Sequence, residues 1–291
     1  MAKNSDLFSN NPRALIVTIE GLIPSLPPAE RVIAETLLSL QSADPDEVRA
    51  VRIASAVNVS EAAVVKFAQH LGLSGFRELR SVFLKHQKTY AAAPQEEMAA
   101  NGTSEALLRS IIRTSIRSLE DTAAVLDYDS FERAAQALAK ARHRFLFGLG
   151  GSAPLVREFE HRLLDVGLTS RAHDEPRLLL RAATLATELD VVMAISHSGS
   201  TSALLDAVQH AHERGATTIG ITNTPRSPLT TICHISLVTA ARGSAVVGVK
   251  TMTKVVQLNM LYALGMKVAQ YANRQGAELL SFEASDESDE P

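Results

Sequence analysis

Residues 190–215 read DVVMAISHSGSTSALLDAVQHAHERG. The run from Asp190 to Ile195 has the length and apolar continuity of a strand buried on both faces, and ALLDAVQHAHERG reads as a helix. Between them, Ser196, Ser198, Ser200 and Thr201 surround Gly199. One hydroxyl is enough to cap a helix. Four within six residues, at the carboxyl end of a strand and the amino end of a helix, predict a cradle for a phosphate built from hydroxyls and free N–H groups.

Working outward, the same grammar repeats. Upstream, RFLFGL (residues 144–149) runs through GLGGSAP into the helical LVREFEHRLLDVG; downstream, ATTIGIT (216–222) leads into NTPRSPLTTICHISLV. Successive strand–helix units predict an α/β layer with a parallel sheet, with loops gathered on the edge where open sheets bind ligands. Gly151 and Ser152 stand at the first such turn. The glycines Gly148, Gly150 and Gly151, followed by Pro154, do not make G-x-G-x-x-G, so a nicotinamide dinucleotide is not expected. His197 lies inside the hydroxyl loop, where it is placed either to touch the ligand or to turn outward. His210 and His212 are two apart on a helix and fall on different faces, and the remaining histidines show no ligand spacing, so neither a metal nor another cofactor is expected.

The first half has a different period. Residues 28–90 read as a helical bundle: a helix from about Ala29 to Leu40, a short one from about Val48 to Ala56, the turn VNV, then Ser60 as a cap before EAAVVKFAQHLG, closed by Gly72. That is helix, tight turn, helix. From Val48 to Tyr90 there are seven bases against two acids, a local excess of five in a chain whose formal net charge is -3. This geometry places the start of the second helix, Ser60, Glu61, Ala62, Ala63 and Lys66, in the major groove of DNA. Arg49, Arg52, Arg77 and Arg80 are the candidates for gripping phosphates.

The stretch VRIASAVNVSEAAVVKFAQHLGLSGFRELRSVF resembles the N-terminal domain of the RpiR family of bacterial transcriptional regulators, through Val59, Ser60, Ala62, Phe67, Leu71, Gly72, Gly75, Phe76 and Leu79. Ala63 stands where that family has Thr, and Lys66 where it has Arg. A missing hydroxyl and a point charge in place of a bidentate fork bear on which operator is read. The series FGLGGSA, DVVMAISHSGST, GATTIGIT and SPL resembles the sugar isomerase (SIS) domain over residues 128–272. That resemblance implies that Ser152, Ser196, Ser198 and Thr201 hold the phosphate of a sugar or sugar-acid effector, and that the chain associates as a dimer or tetramer. Further along, Lys254 stands where that domain commonly has Arg.

The expected architecture is therefore α plus α/β: an all-helical helix-turn-helix bundle over residues 12–90, and an SIS-type α/β/α sandwich over 128–272. Residues 91–127 are expected to be a linker and an amphipathic connecting helix, with Leu108, Ile112, Ser115, Leu119, Ala123 and Leu126 in an apolar stripe. An acidic tail, 273–291, is expected to lack fixed structure. With 291 residues, 46% of them hydrophobic, the chain is long enough for two cores. One cysteine, Cys233, rules out an internal disulfide framework. Absence of an 18-residue apolar span and of a signal-peptide pattern points to a cytoplasmic protein with no membrane partner. The expected function is effector-controlled operator binding without catalysis. The alternative is an aldose–ketose phosphosugar isomerase, for which the loops offer His197 as base.

Overall fold

The structure is a computed structural model and describes residues 7–9, 11–40, 44–90, 103–242 and 248–272. The expected linker over 91–102 and the acidic tail over 273–291 lie outside the described residues. The chain divides into two compact units, Met1–Val125 and Leu126–Pro291.

The first unit is helical: α1 (Pro12–Leu22), α2 (Pro28–Ser39), α3 (Ala50–Ala56), α4 (Glu61–His70), α5 (Phe76–Tyr90) and α6 (Ser104–Val125). Its core is one cluster drawn from every helix, including Leu15, Ile19, Ile33, Leu37, Ile53, Val64, Phe67, Leu79, Phe83 and Ala124. The sequence reading set the domain's start at residue 12 but its first helix at about Ala29, so α1 is an added helix. PRALIVTIEGL buries Ala14, Leu15, Ile16, Ile19 and Leu22 in the core of the first unit. The turn between α3 and α4 forms as expected. Asn58 takes φ +53°, a region Asn tolerates, and the Ser60 hydroxyl accepts from Ala63 N–H at 3.2 Å. Gly72 closes α4 at φ +89°.

The amphipathic helix behaves differently from the expectation. α6 packs on α1 within the first unit, through a polar face: Ser118, Asp121 and Thr122 are buried, while Leu108, Ile112 and Ile116 are exposed. The buried carboxylate of Asp121 explains the choice of face, since it accepts from Arg13 Nε while Arg13 Nη1 donates to Glu120 at 2.7 Å. A charged pair fixes this contact where an apolar stripe was expected to.

The second unit runs α7 (Tyr128–Lys140), β1 (Arg144–Gly148), α8 (Ala153–Asp165), β2 (Arg171–His173), α9 (Pro176–Leu185), β3 (Val191–Ser196), α10 (Ser202–Glu213), β4 (Thr217–Thr222), α11 (Pro228–Ile232), β5 (Ile235–Val238) and α12 (Val249–Ala272). Its five strands are all parallel in the order β2-β1-β3-β4-β5. Alternate residues of β3 serve opposite cores. Val191, Met193 and Ile195 pack with α7, α8 and α12, whereas Val192 and Ala194 pack with α9, α10 and α11. The result is the expected three-layer sandwich. The chain reverses its direction of travel across the sheet between β1 and β3, which opens a crevice outside their carboxyl ends.

Candidate functional site

At that crevice lies a cavity of about 310 Å³, lined by the β1–α8 turn, the β3–α10 loop and one face of α12. Gly151 and Ser152 come from the first, Ser196, His197, Ser198 and Thr201 from the second, and Lys250, Thr253, Lys254 and Gln257 from the third. Leu149, Ile195 and Leu204 make its apolar floor.

The loop after β3 is held open by its own bonds. Gly199 N–H donates to Ser196 Oγ at 3.1 Å, and Ser196 Oγ lies 3.3 Å from Thr201 Oγ1. Ser198 Oγ accepts from the backbone N–H and the hydroxyl of Ser200. Gly199 is needed here, since it has φ +62° and a Cβ on it would collide with Ser227 Oγ and lie 3.0 Å from Thr222 Oγ1. Thr201 and Ser152 are the N-cap residues of α10 and α8, yet neither hydroxyl bonds the helix it precedes. The Ser152 hydroxyl, and the Thr201 hydroxyl that lies against Ser196 Oγ, therefore stand at helix amino ends without serving as caps. Gly150 adopts φ +54°, and a Cβ on Gly151 would lie 3.0 Å from Lys254 Cε, so the glycine turn makes room for that lysine.

His197 is not turned outward. Its Nδ1 lies 2.8 Å from Thr253 Oγ1, and that hydroxyl spends its proton on Val249 C=O at 2.8 Å. Thr253 must then accept from His197, leaving the proton on Nδ1 and a lone pair on Nε2. Burial, followed by the nearby Lys250 charge, pushes the His197 pKa below its usual value and keeps the ring neutral near pH 7.

All eight sequence-predicted effector residues fall on the two loops. Gly151, Ser152, Ser196, His197, Ser198 and Thr201 line the cavity, while Gly199 and Ser200 shape the loop from behind. Lys254 is legible in the sequence through its place in the family pattern, whereas Thr253 and Gln257 are not, and Lys250 joins them on the same wall. Their spacing of i, i+3, i+4 and i+7 puts all four on one face of α12, a signal that a solvated helix face gives equally well. Among the described residues lining the cavity there are two lysines and no carboxylate.

In the first unit, Ser60, Glu61, Ala62 and Lys66 are exposed at the amino end of α4, with Ala63 half-buried. The arginines are less available than their count suggested. Arg49 pairs with Asp46 at 2.6 Å and Arg52 pairs with Glu47. Arg80 donates to Val48 C=O at 2.7 Å and Pro45 C=O at 3.0 Å, clamping the segment before α3. The excess of five bases came from a window starting at Val48, which left out Asp44, Asp46 and Glu47. Arg77 is exposed and borders, with Arg80, Lys85 and Lys88, a shallow basic groove along α5. No described helix is long and apolar enough to cross a membrane.

Comparison with known proteins agrees with both halves. Residues 15–90 match the helix-turn-helix domain of the rpiR family, and residues 137–267 match the SIS domain. The HTH-type transcriptional regulator RpiR of Escherichia coli K12 is 30% identical over 218 residues, covering 75% of this chain and 74% of that protein. An uncharacterized HTH-type transcriptional regulator of Bacillus subtilis strain 168, YbbH, is 26% identical over 90% of this chain and 93% of its own length. Among solved structures, the Vibrio vulnificus NanR protein complexed with ManNAc-6P has a similar fold, with TM-score 0.55 and 22% identity over 94% of this chain and 97% of that one. The sugar isomerase domain of an RpiR transcription factor from Sphaerobacter thermophilus matches 62% of this chain and 98% of its own, with TM-score 0.53 and 22% identity. With a helix-turn-helix unit, a parallel-sheet SIS unit, and relatives that share both, the chain belongs to the RpiR family of helix-turn-helix transcriptional regulators.

Proposed function

We propose that the second unit binds a phosphorylated sugar or sugar acid at the crevice between β1 and β3, and that binding alters the affinity of the first unit for its operator. The observation carrying this reading is the hydroxyl-and-amide cradle at two helix amino ends, faced by Lys250 and Lys254 with no described carboxylate in the lining. Such a site suits a dianion. The NanR structure holds a phosphosugar, which supports the same use of the fold. In this reading Ser152, Ser196, Ser198 and Thr201 hold the phosphate, and Ser60, Glu61, Ala62, Ala63 and Lys66 face base edges while exposed Arg77 meets the backbone.

The protein is read as a sensor and not as an isomerase. Moving a proton next to a carbonyl needs a base, for which the described lining holds neutral His197; the sensor reading is supported instead by the helix-turn-helix unit and by relatives named as transcriptional regulators. Its place of action is the cytoplasm, where operator DNA is. Exposed Leu108, Ile112 and Ile116 lie four residues apart on α6 and suit burial against a second copy, as half-site recognition requires. Ligand and DNA are then coupled through two arrangements of the assembly, each ligand favouring one.

Thermal-shift and calorimetric titration of the full chain against sugar phosphates, sugar-acid phosphates and inorganic phosphate tests the reading. At least one phosphorylated compound raises the melting temperature, because it binds the native state selectively. Ser196→Ala with Ser198→Ala abolishes that shift while operator binding, measured on fragments selected from a random DNA pool, persists. Failure of every phosphorylated compound to bind overturns the effector assignment.

A further inference from the structure

Gln257 sits on α12 with 1% of its surface exposed, and its Nε2 has no hydrogen-bond partner although it lines the cavity. A buried amide donor without a partner is unfavourable, and native proteins rarely keep one unless something else meets it. The cradle of Ser196, Ser198 and Thr201 lies on the loop after β3, whereas Gln257 belongs to the third wall, two helical turns from Lys250 and one from Thr253. A phosphate held by the loops and the lysines leaves the rest of the ligand beside α12. Resting on the reading that this cavity takes a sugar phosphate, we propose that Gln257 is a specificity-determining residue, whose amide N–H donates to an oxygen of the effector's carbon skeleton.

The chemistry of this wall is complementary to a polyol. His197 presents a lone pair on Nε2, which accepts a hydroxyl proton, and Gln257 presents a donor, which meets a hydroxyl, carbonyl or carboxylate oxygen. A phosphorylated compound with no oxygen at that position leaves the donor unmet and is rejected. Inorganic phosphate, held by the cradle alone, is indifferent to Gln257. Selection by a missing hydrogen-bond partner is sharper than selection by apolar fit.

Gln257→Met, close in length and unable to donate, separates the roles. The full-length protein and the variant are titrated calorimetrically with inorganic phosphate, aldopentose 5-phosphates, aldohexose 6-phosphates, an N-acetylated hexosamine 6-phosphate and a six-carbon sugar-acid phosphate. The expected result is a loss of about tenfold in affinity for the preferred sugar phosphate, a change within about twofold for inorganic phosphate, and a ligand-free melting temperature equal to or above that of the parent. Unchanged affinity for every sugar phosphate overturns the assignment, as does an equal loss for sugar phosphate and inorganic phosphate together with a lowered melting temperature. Should Gln257→Met not fold, Gln257→Leu carries the same comparison. If no phosphorylated compound binds the parent, the effector reading itself falls; if sugar phosphates bind and the ratio does not move, only the role of Gln257 falls.

Discussion

At the scale of single residues, Gly199 decides whether the hydroxyl loop exists. Its φ of +62° is strained for a residue with a side chain, and the space a methyl would take belongs to Ser227 Oγ and Thr222 Oγ1. Both neighbours are buried on separate elements, and the Gly199 carbonyl also accepts from Leu229 N–H at 3.0 Å. Gly199→Ala therefore has no cheap relaxation. We expect a loss of about 2–4 kcal/mol in stability, from the φ penalty and local overpacking together, with effector affinity lost as the loop shifts. Chemical denaturation of the variant checks the first and titration the second; a variant as stable as the parent contradicts the argument. The need for glycine here was visible in SHSGST only as a turn residue. The collision that makes it obligatory involves a side chain 28 positions away.

At the scale of elements, α6 shows how charge can outrank pattern. Read as a helix, residues 105–126 offered the apolar stripe for burial, but the face against α1 is the one bearing Asp121, because Arg13 meets it there. A buried carboxylate is tolerable only with such a partner. Arg13→Ala leaves the Asp121 charge short of its cation, and we expect the first unit to lose about 2–4 kcal/mol, read as an earlier unfolding transition. Arg13→Ala combined with Asp121→Leu recovers part of that loss, since no carboxylate is then left buried without its cation. A single variant indistinguishable from the parent removes the pair as the reason for this packing. A similar device stands in the second unit, where buried Arg144 donates to Leu138 C=O, Ala139 C=O and Thr169 C=O and so satisfies the carboxyl end of α7.

For the whole molecule, three histidines make stability depend on pH in one direction. Burial pushes the pKa of His173, His197 and His234 below the ordinary value of 6.5, helped by Arg171, Lys250 and His212 respectively. In the unfolded chain these rings take up protons as pH falls through 6.5, while the folded unit keeps them neutral. The unfolded state thus binds more protons, and stability drops below pH 6.5 until the folded pKa values are passed. Asp190 adds a second, more acidic limb. Burial opposes its ionisation, but hydrogen bonds from Thr187, Arg142 and His143 outweigh that and hold its pKa at about 2, so its contribution is full above 3.8 and is lost as pH falls toward 2. All four groups lie in the second unit. Its unfolding transition, followed by calorimetry from pH 7.5 to 5, is expected to move to lower temperature as the solution is acidified; a flat or rising profile over that range contradicts the lowered pKa of these rings.

By itself the sequence determined what is local in the chain: the period of its helices and strands, the turn before Ser60, the glycine and hydroxyl loops at strand ends, and through their wording the family. Each depends on neighbours a few residues apart, so it is written contiguously. The tertiary structure decided what depends on distant partners. It spent Arg49, Arg52 and Arg80 on nearby acids and carbonyls, turned α6 by one buried ion pair, fixed the tautomer of His197 through Thr253, and set Lys254 and Gln257 opposite a loop more than 50 residues earlier. Hydrogen bonds and desolvation act over a few ångströms of space, whatever the separation along the chain, and no periodicity records which side chains folding will bring within that reach.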